Sequence, residues 1–287
     1  MAAHSQYKSE RARDKAFAAY DSVLSHWPVP YETRFVETRF GPTHLIASGQ
    51  ADAPPVVLIH GAGASATSWS WNIAALVDRY RVYALDTIGD YGKSAGTRPT
   101  YGSGDHARWL AEVFERLRLA NARVVGMSLG GWIAFHFALA FPGRVERLAL
   151  MAPASLQRMS TGFVLRGGLA TFFPREATVR YFFRYLGSRQ YAGMPDWTMN
   201  DLIIRWRAGR PNNSVMPVIQ DAELSALHVP TLLLLGSEDP MYDAARAASR
   251  VRSVAPQIQV EIIPDAGHLF PVERPDATNE SLLKFLV

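Results

Sequence analysis

"RVVGMSLGGWIAFHFALAFP", residues 123–142, carries a β-branched run into an apolar helical stretch through Gly126-Met127-Ser128-Leu129-Gly130. A strand that passes straight into a helix leaves little room at the turn, and glycines at both ends of the pentapeptide remove the side chains that would collide. The serine between them is then held in a strained conformation with its hydroxyl clear of the sheet. A plainer assignment makes Ser128 the N-cap of the following helix. The rest of the chain has to choose between them.

A serine hydroxyl attacks only if a base takes its proton, and the base needs an acid to hold it in one tautomer. The runs "PVVLIH", "RVYALD", "ARVVGM", "VERLALM", "PTLLLLG" and "VEIIPD" alternate with helix-like segments and lack strict polar alternation. Such runs predict strands covered on both faces, hence a mostly parallel sheet of about eight strands flanked by helices, an α/β fold with its chemistry beyond the carboxyl ends of the strands. Of the histidines after Ser128, His136 lies two helical turns along, roughly 12 Å of rise away. His228 precedes its strand and so sits at the amino end, which leaves His268, on the loop after "VEIIPD". The acid comes from "GSEDP": Asp239 is the choice and Glu238 the reserve, with capping of the helix after Pro240 the alternative role for either.

The turn in "VVLIHGAGASATSW", residues 56–69, admits two uses. Gly61, Gly63 and Ala66 fit G-x-G-x-x-A, the phosphate cradle of a dinucleotide-binding unit, with Asp86 about 20 residues on for a ribose hydroxyl. The same turn offers a backbone N–H to an oxyanion, Ala62 on this loop pairing with Leu129 after the serine. The dinucleotide use leaves Ser128, Asp239 and His268 unexplained. On the oxyanion use His60 is a structural residue of the loop and Asp86 a turn residue of "DTIGDYGKS".

These motifs sit in a chain of 287 residues with no cysteine, which removes disulfides and thiolate chemistry and fits a reducing, cytoplasmic setting. The first residues contain no apolar signal-like stretch, and no apolar run approaches a membrane span. Formal charge is +4, with most basic residues interleaved with acids, so no nucleic-acid partner is expected. The exception is residues 158–210, with nine Arg, no Lys and only Glu176, Asp196 and Asp201 as acids. The expected division is an N-terminal helical extension, 1–30; a core formed by 31–154 and 223–287, starting with a hairpin around Gly41-Pro42; and a helical lid, 155–222, inserted in that core.

Together "HGAGAS", "DTIGDYGKS", "GMSLGG", "GSEDP" and "AGHLF" resemble the α/β-hydrolase superfamily, and "RFGPTHLIASG" with "IGDYGKS" resembles the bacterial carboxylesterases related to naproxen esterase. The chain departs from the D-x-x-G-x-G-x-S turn of many relatives in having Asp90-Tyr91 before Gly92. The resemblance implies hydrolysis of a small-molecule ester through an acyl-serine, without metal or organic cofactor. Trp69, Met127, Trp197 and Leu269 are the expected pocket lining, although aromatic stripes more often serve as plain core. The same constellation would also suit a lactonase, thioesterase, carbon–carbon bond hydrolase or perhydrolase, and a non-catalytic ligand-binding protein is the remaining alternative.

Overall fold

A computed structural model describes residues 5–212 and 214–287. Its elements in chain order are α1 (Glu10–Leu24), β1 (Tyr31–Thr38), β2 (Gly41–Ser48), β3 (Pro55–Ile59), α2 (Ile73–Val77), β4 (Arg81–Leu85), α3 (Asp105–Arg116), β5 (Ala122–Met127), α4 (Leu129–Ala140) and β6 (Val145–Met151). There follow α5 (Thr161–Phe172), α6 (Glu176–Leu186), α7 (Asp196–Ala208), α8 (Asp221–Ser225), β7 (Thr231–Gly236), α9 (Ala244–Val254), β8 (Gln259–Ile263), α10 (Phe270–Glu273) and α11 (Pro275–Leu286). The eight strands form one sheet in the order β1-β2-β4-β3-β5-β6-β7-β8. β1, β2 and β4 pair antiparallel, and every other pairing is parallel.

The unbroken apolar runs follow from this layering. Val57, Ile59, Val124, Leu148 and Leu233 face the core under α3, α4 and α9, while their neighbours Val56, Leu58, Val125, Ala149 and Leu232 face the core under α1, α2 and α11. Both sides of each central strand are therefore buried, and period-two polarity has no place there. The chain turns from β3 to β4 on one side and later to β5 on the other, so the strand order reverses at β3 and opens a crevice beyond the ends of β3 and β5.

Between β6 and β7 the chain leaves the sheet and forms α5, α6 and α7, whose Phe182, Phe183, Met199, Leu202 and Ile203 make a small core with Leu269. Its exit and return are tied together. The Ile219 N–H donates to Ser155 O at 2.9 Å, and the Arg250 guanidinium donates to the carbonyls of both Leu156 and Ile219. α1 touches two parts of the molecule. Tyr20 and Leu24 reach the sheet core, but the helix also packs along α7, and Tyr7 with Ala16 forms a cluster with Ala208 at the end of α7.

Candidate active site

Ser128 stands between β5 and α4 at φ 52°, ψ −112°, outside the regions that L residues favour. Such a conformation persists only where the surroundings over-determine it. Here the Ser128 N–H donates to Met151 O, and Ser128 O accepts from both Trp132 and Ala154 N–H groups. A side chain at Gly126 would put its Cβ 2.2 Å from Gly130 O, and one at Gly130 would lie 2.1 Å from Ile59 O. Both glycines are thus obligatory for the close crossing of α4 over β3 and β5. The Ser128 side chain makes no capping bond to α4, which removes the N-cap assignment, and the residue stays partly exposed.

His268 lies on the loop between β8 and α10, where its Nδ1 is 2.7 Å from Asp239 Oδ2, with both residues buried. The other Asp239 oxygen, Oδ1, accepts the Met241 N–H at 2.7 Å. Two observations set Glu238 aside: its carboxylate accepts from Arg189 N at 2.8 Å, and α9 is capped by Asp243, not by either residue of the pair. The loops are held together because Glu238 N donates to Ala266 O, and a Cβ at Gly236 would fall 2.2 Å from Gly267 O. A carboxylate on Nδ1 fixes the tautomer that leaves Nε2 free to accept a proton.

Ser128, His268, Ala62 and Leu129 line one cavity of about 430 Å³. Leu129 is the first residue of α4, so its N–H has no carbonyl partner within the helix and sits at the positive end of the helix dipole. The Ala62 loop is braced from several sides. His60 Nε2 accepts the Thr87 N–H at 3.0 Å, which makes Nδ1–H the donor to Gly61 O at 2.8 Å. The Gly63 N–H donates to the Asp90 carboxylate at 3.0 Å, and Gly63 O accepts from Trp206 Nε1 of α7 at 3.2 Å. Burial pushes the Asp90 carboxyl above its ordinary pKa, against the opposing influence of His60, Arg205 and its hydrogen bonds from Gly63 and Tyr91.

Asp86 is more than a turn residue: fully buried, it accepts from Ala66 N at 2.8 Å, Lys93 N at 2.9 Å and His44 Nδ1 at 2.8 Å. Burial would raise its pKa, but the His44 hydrogen bond and charge, with His60 and the Ala66 N–H, hold it down at about 2.

Trp69, Met127 and Leu269 line the cavity as expected, whereas Trp197 does not. Trp197, half-buried in the first turn of α7, instead stacks between His26 at 4.6 Å and Trp71 at 5.8 Å. The wall is completed by Phe163, Phe182 and Trp206, which the sequence offers only as part of a general richness of Trp and Phe in the insertion and not by position. Asp90 and Trp206 were missed for a different reason. Nothing in the local pattern of either residue signals a bond to the Gly63 peptide, and only the Asp90-Tyr91 departure in "DTIGDYGKS" marked the spot. The opposite charges of Asp201 and Arg205, four apart on α7, are a sequence signal for an ion pair, and the two are paired at 2.9 Å beside the cavity. Among the described residues, no group of three or more His, Asp or Glu side chains is arranged to hold a metal ion.

Residues 56–281 match the model of the alpha/beta hydrolase family. The chain is 34% identical to carboxylesterase YbfK of Bacillus subtilis, over 98% of this chain and 96% of that one, and 36% identical to a second Bacillus subtilis protein named as an uncharacterized carboxylesterase, nap, over 94% and 91%. The crystal structure of naproxen esterase from the same organism superposes with a TM-score of 0.90 at 34% identity, covering 98% of this chain and all of that one.

Proposed function

The chain belongs to the alpha/beta hydrolase family, and from that premise we propose that it is a serine carboxylesterase acting on small, largely apolar carboxylic esters. The observation that carries the reading is the buried His268–Asp239 pair at 2.7 Å opening on the same cavity as a serine held at φ 52°. Ser128 Oγ attacks the ester carbonyl carbon as His268 Nε2 takes the hydroxyl proton. The tetrahedral oxyanion is held by the Ala62 and Leu129 N–H groups. Collapse expels the alkoxide, which takes the proton from His268 and leaves an acyl-serine. Water then attacks the acyl carbon with His268 again as base, and cleavage of the bond to Ser128 Oγ, which takes the proton back from His268, releases the carboxylic acid. Asp239 keeps the imidazole in the required tautomer and offsets its charge while it is protonated. Each oxyanion donor is worth about 3 to 4 kcal/mol in the transition state.

The cavity volume and its apolar wall support a small acyl or alcohol group, not a polymer. Relatives named carboxylesterases over nearly their full length support ester chemistry over the other reactions open to the same constellation. On this reading residues 155–222 form the cover of the site, 1–30 an extension that braces it, and the remainder the core. The partner is a small-molecule ester, the enzyme requires no metal or organic cofactor, and the compartment is the cytoplasm, a setting that the absence of cysteine supports. No helix among the described residues is long and apolar enough to cross a membrane.

The test is hydrolysis of a series of p-nitrophenyl esters by the protein and its Ser128→Ala variant, with fluorophosphonate labelling followed by peptide mapping. Ser128→Ala is expected to lower kcat by about 10⁴-fold or more with an unchanged circular dichroism spectrum, and the label to sit on Ser128. Undiminished turnover by the variant, or a label on another residue, would refute the assignment.

A further inference from the structure

Helix α5 is apolar on two sides. Phe163 and Gly167 line the cavity and Ala170 is fully buried, as an amphipathic cover requires. The other side faces solvent: Val164, Leu165, Leu169 and Phe172 are 55%, 67%, 45% and 65% exposed, and Phe173, just past the helix, and Tyr181 of α6 add 61% and 51%. At about 100° per residue the four helix positions fall on one side of the cylinder. Six of the eleven large exposed hydrophobics among the described residues are gathered in this one region, and the clustering, not the exposure of any single residue, calls for an occupant.

The charge around this face narrows the choice. Between residues 158 and 189 there are six Arg and a single acid, Glu176. Arg180 is paired with Glu176 and Asp196, whereas the exposed Arg158, Arg175, Arg184 and Arg189 form no ion pair among the described residues. Arg158 precedes the helix and Arg175 follows it, so the apolar face is bracketed by uncompensated cations. A second copy of the chain would set these cations against their equivalents in an isologous contact, which disfavours self-association there. An apolar helix face rimmed by arginine suits the boundary between acyl chains and anionic headgroups, where each basic residue contributes about 1 kcal/mol.

The face is also continuous with the cavity. Val164, exposed on this side, lines the cavity together with Gly168 and Thr171 of the same helix. We propose that the outer side of α5, with Phe173 and Tyr181 of α6, docks onto anionic phospholipid surfaces and draws apolar esters from them into the cavity. Docking itself does not depend on the ester-hydrolase reading.

Sedimentation of the full chain with vesicles of phosphatidylglycerol or of phosphatidylcholine tests it, using the Ser128→Ala protein so that binding is separated from turnover. Roughly tenfold or stronger preference for phosphatidylglycerol is expected, weakening at high ionic strength. The double substitution Leu165→Ser with Phe172→Ser, placed in the otherwise active chain, touches no cavity residue. It should abolish vesicle binding while leaving hydrolysis of a short water-soluble ester unchanged. Equal partition onto both vesicle types, or binding that survives the double substitution, overturns the proposal. So does light scattering that shows a dimer dissolved by the same substitution, since the face would then belong to a second copy.

Discussion

The strain at Ser128 is of the order of 1–3 kcal/mol, and it is sustained by three backbone hydrogen bonds and two glycines that no other residue could replace without collision. That arrangement leaves the serine side chain free of structural duties, which is what a nucleophile needs. The proposed division of labour between the two adjacent acids is testable at the same scale. Asp239→Asn should lower kcat by about 10⁴-fold, because an amide beside Nδ1 favours the wrong tautomer. Glu238→Gln should stay within about twofold of the parent, since its carboxylate serves Arg189 N. Steady-state kinetics on one ester checks both. The proposed nucleophile and base, Ser128 and His268, are legible in the sequence because motif, chain order and strand ends converge on them. The grip of Asp90 and Trp206 on Gly63 is not, because it depends on two loops and a helix meeting in space.

At the scale of elements, the segment between β6 and β7 is not a loose flap. The Leu186 carbonyl at the end of α6 accepts the His268 backbone N–H at 2.7 Å, and Glu273 accepts from both Gly267 and Ser188 N–H groups. α7 holds the opposite side of the cavity through Trp206 on Gly63 O. The cover therefore braces the loops carrying the proposed base and the proposed oxyanion donor. Gly63 has φ 70°, and a Cβ there would lie 2.6 Å from the Trp206 indole nitrogen. Gly63→Ala is expected to lower kcat by roughly 10²-fold, comparable to loss of an oxyanion donor, with a smaller change in KM. A rise in KM alone would show that the contact serves binding only. The strands were readable because continuous Val, Ile and Leu runs have one meaning in a sheet covered on both sides. The orientation of Trp197 was not, since whether a helix's aromatic faces cavity or neighbour is set by α1 packing beside it, a contact remote in sequence.

For the whole molecule, two buried groups make stability depend on pH in separate windows. Burial, partly opposed by Asp105, lowers the His106 pKa to about 4, below its ordinary value of 6.5. The unfolded chain then binds more protons between those values, so stability falls as pH drops from about 6.5 toward 4, by about 3 kcal/mol at most. Asp86, with its pKa held near 2, contributes stability above about pH 4 that is lost as pH falls toward 2. Thermal unfolding as a function of pH should show both slopes, and His106→Leu should flatten the upper one while sparing the lower. A single slope confined below pH 4, in the parent and the variant alike, would show that His106 is not held neutral by the fold.

The bond from Ile219 to Ser155, with Arg250 clasping both sides, makes the exit and the return of the chain one fixed gateway. The entropy of closing a loop grows only with the logarithm of its length, so a junction already fastened from the core is nearly indifferent to how much polypeptide hangs from it. Evolution can then enlarge, shorten or replace everything beyond that clasp as one cassette, and substrate preference can drift while the chemistry beneath stays still. Arg250→Ala should be the substitution that ends this indifference, lowering the melting temperature more in a chimaera carrying a longer cassette than in the parent.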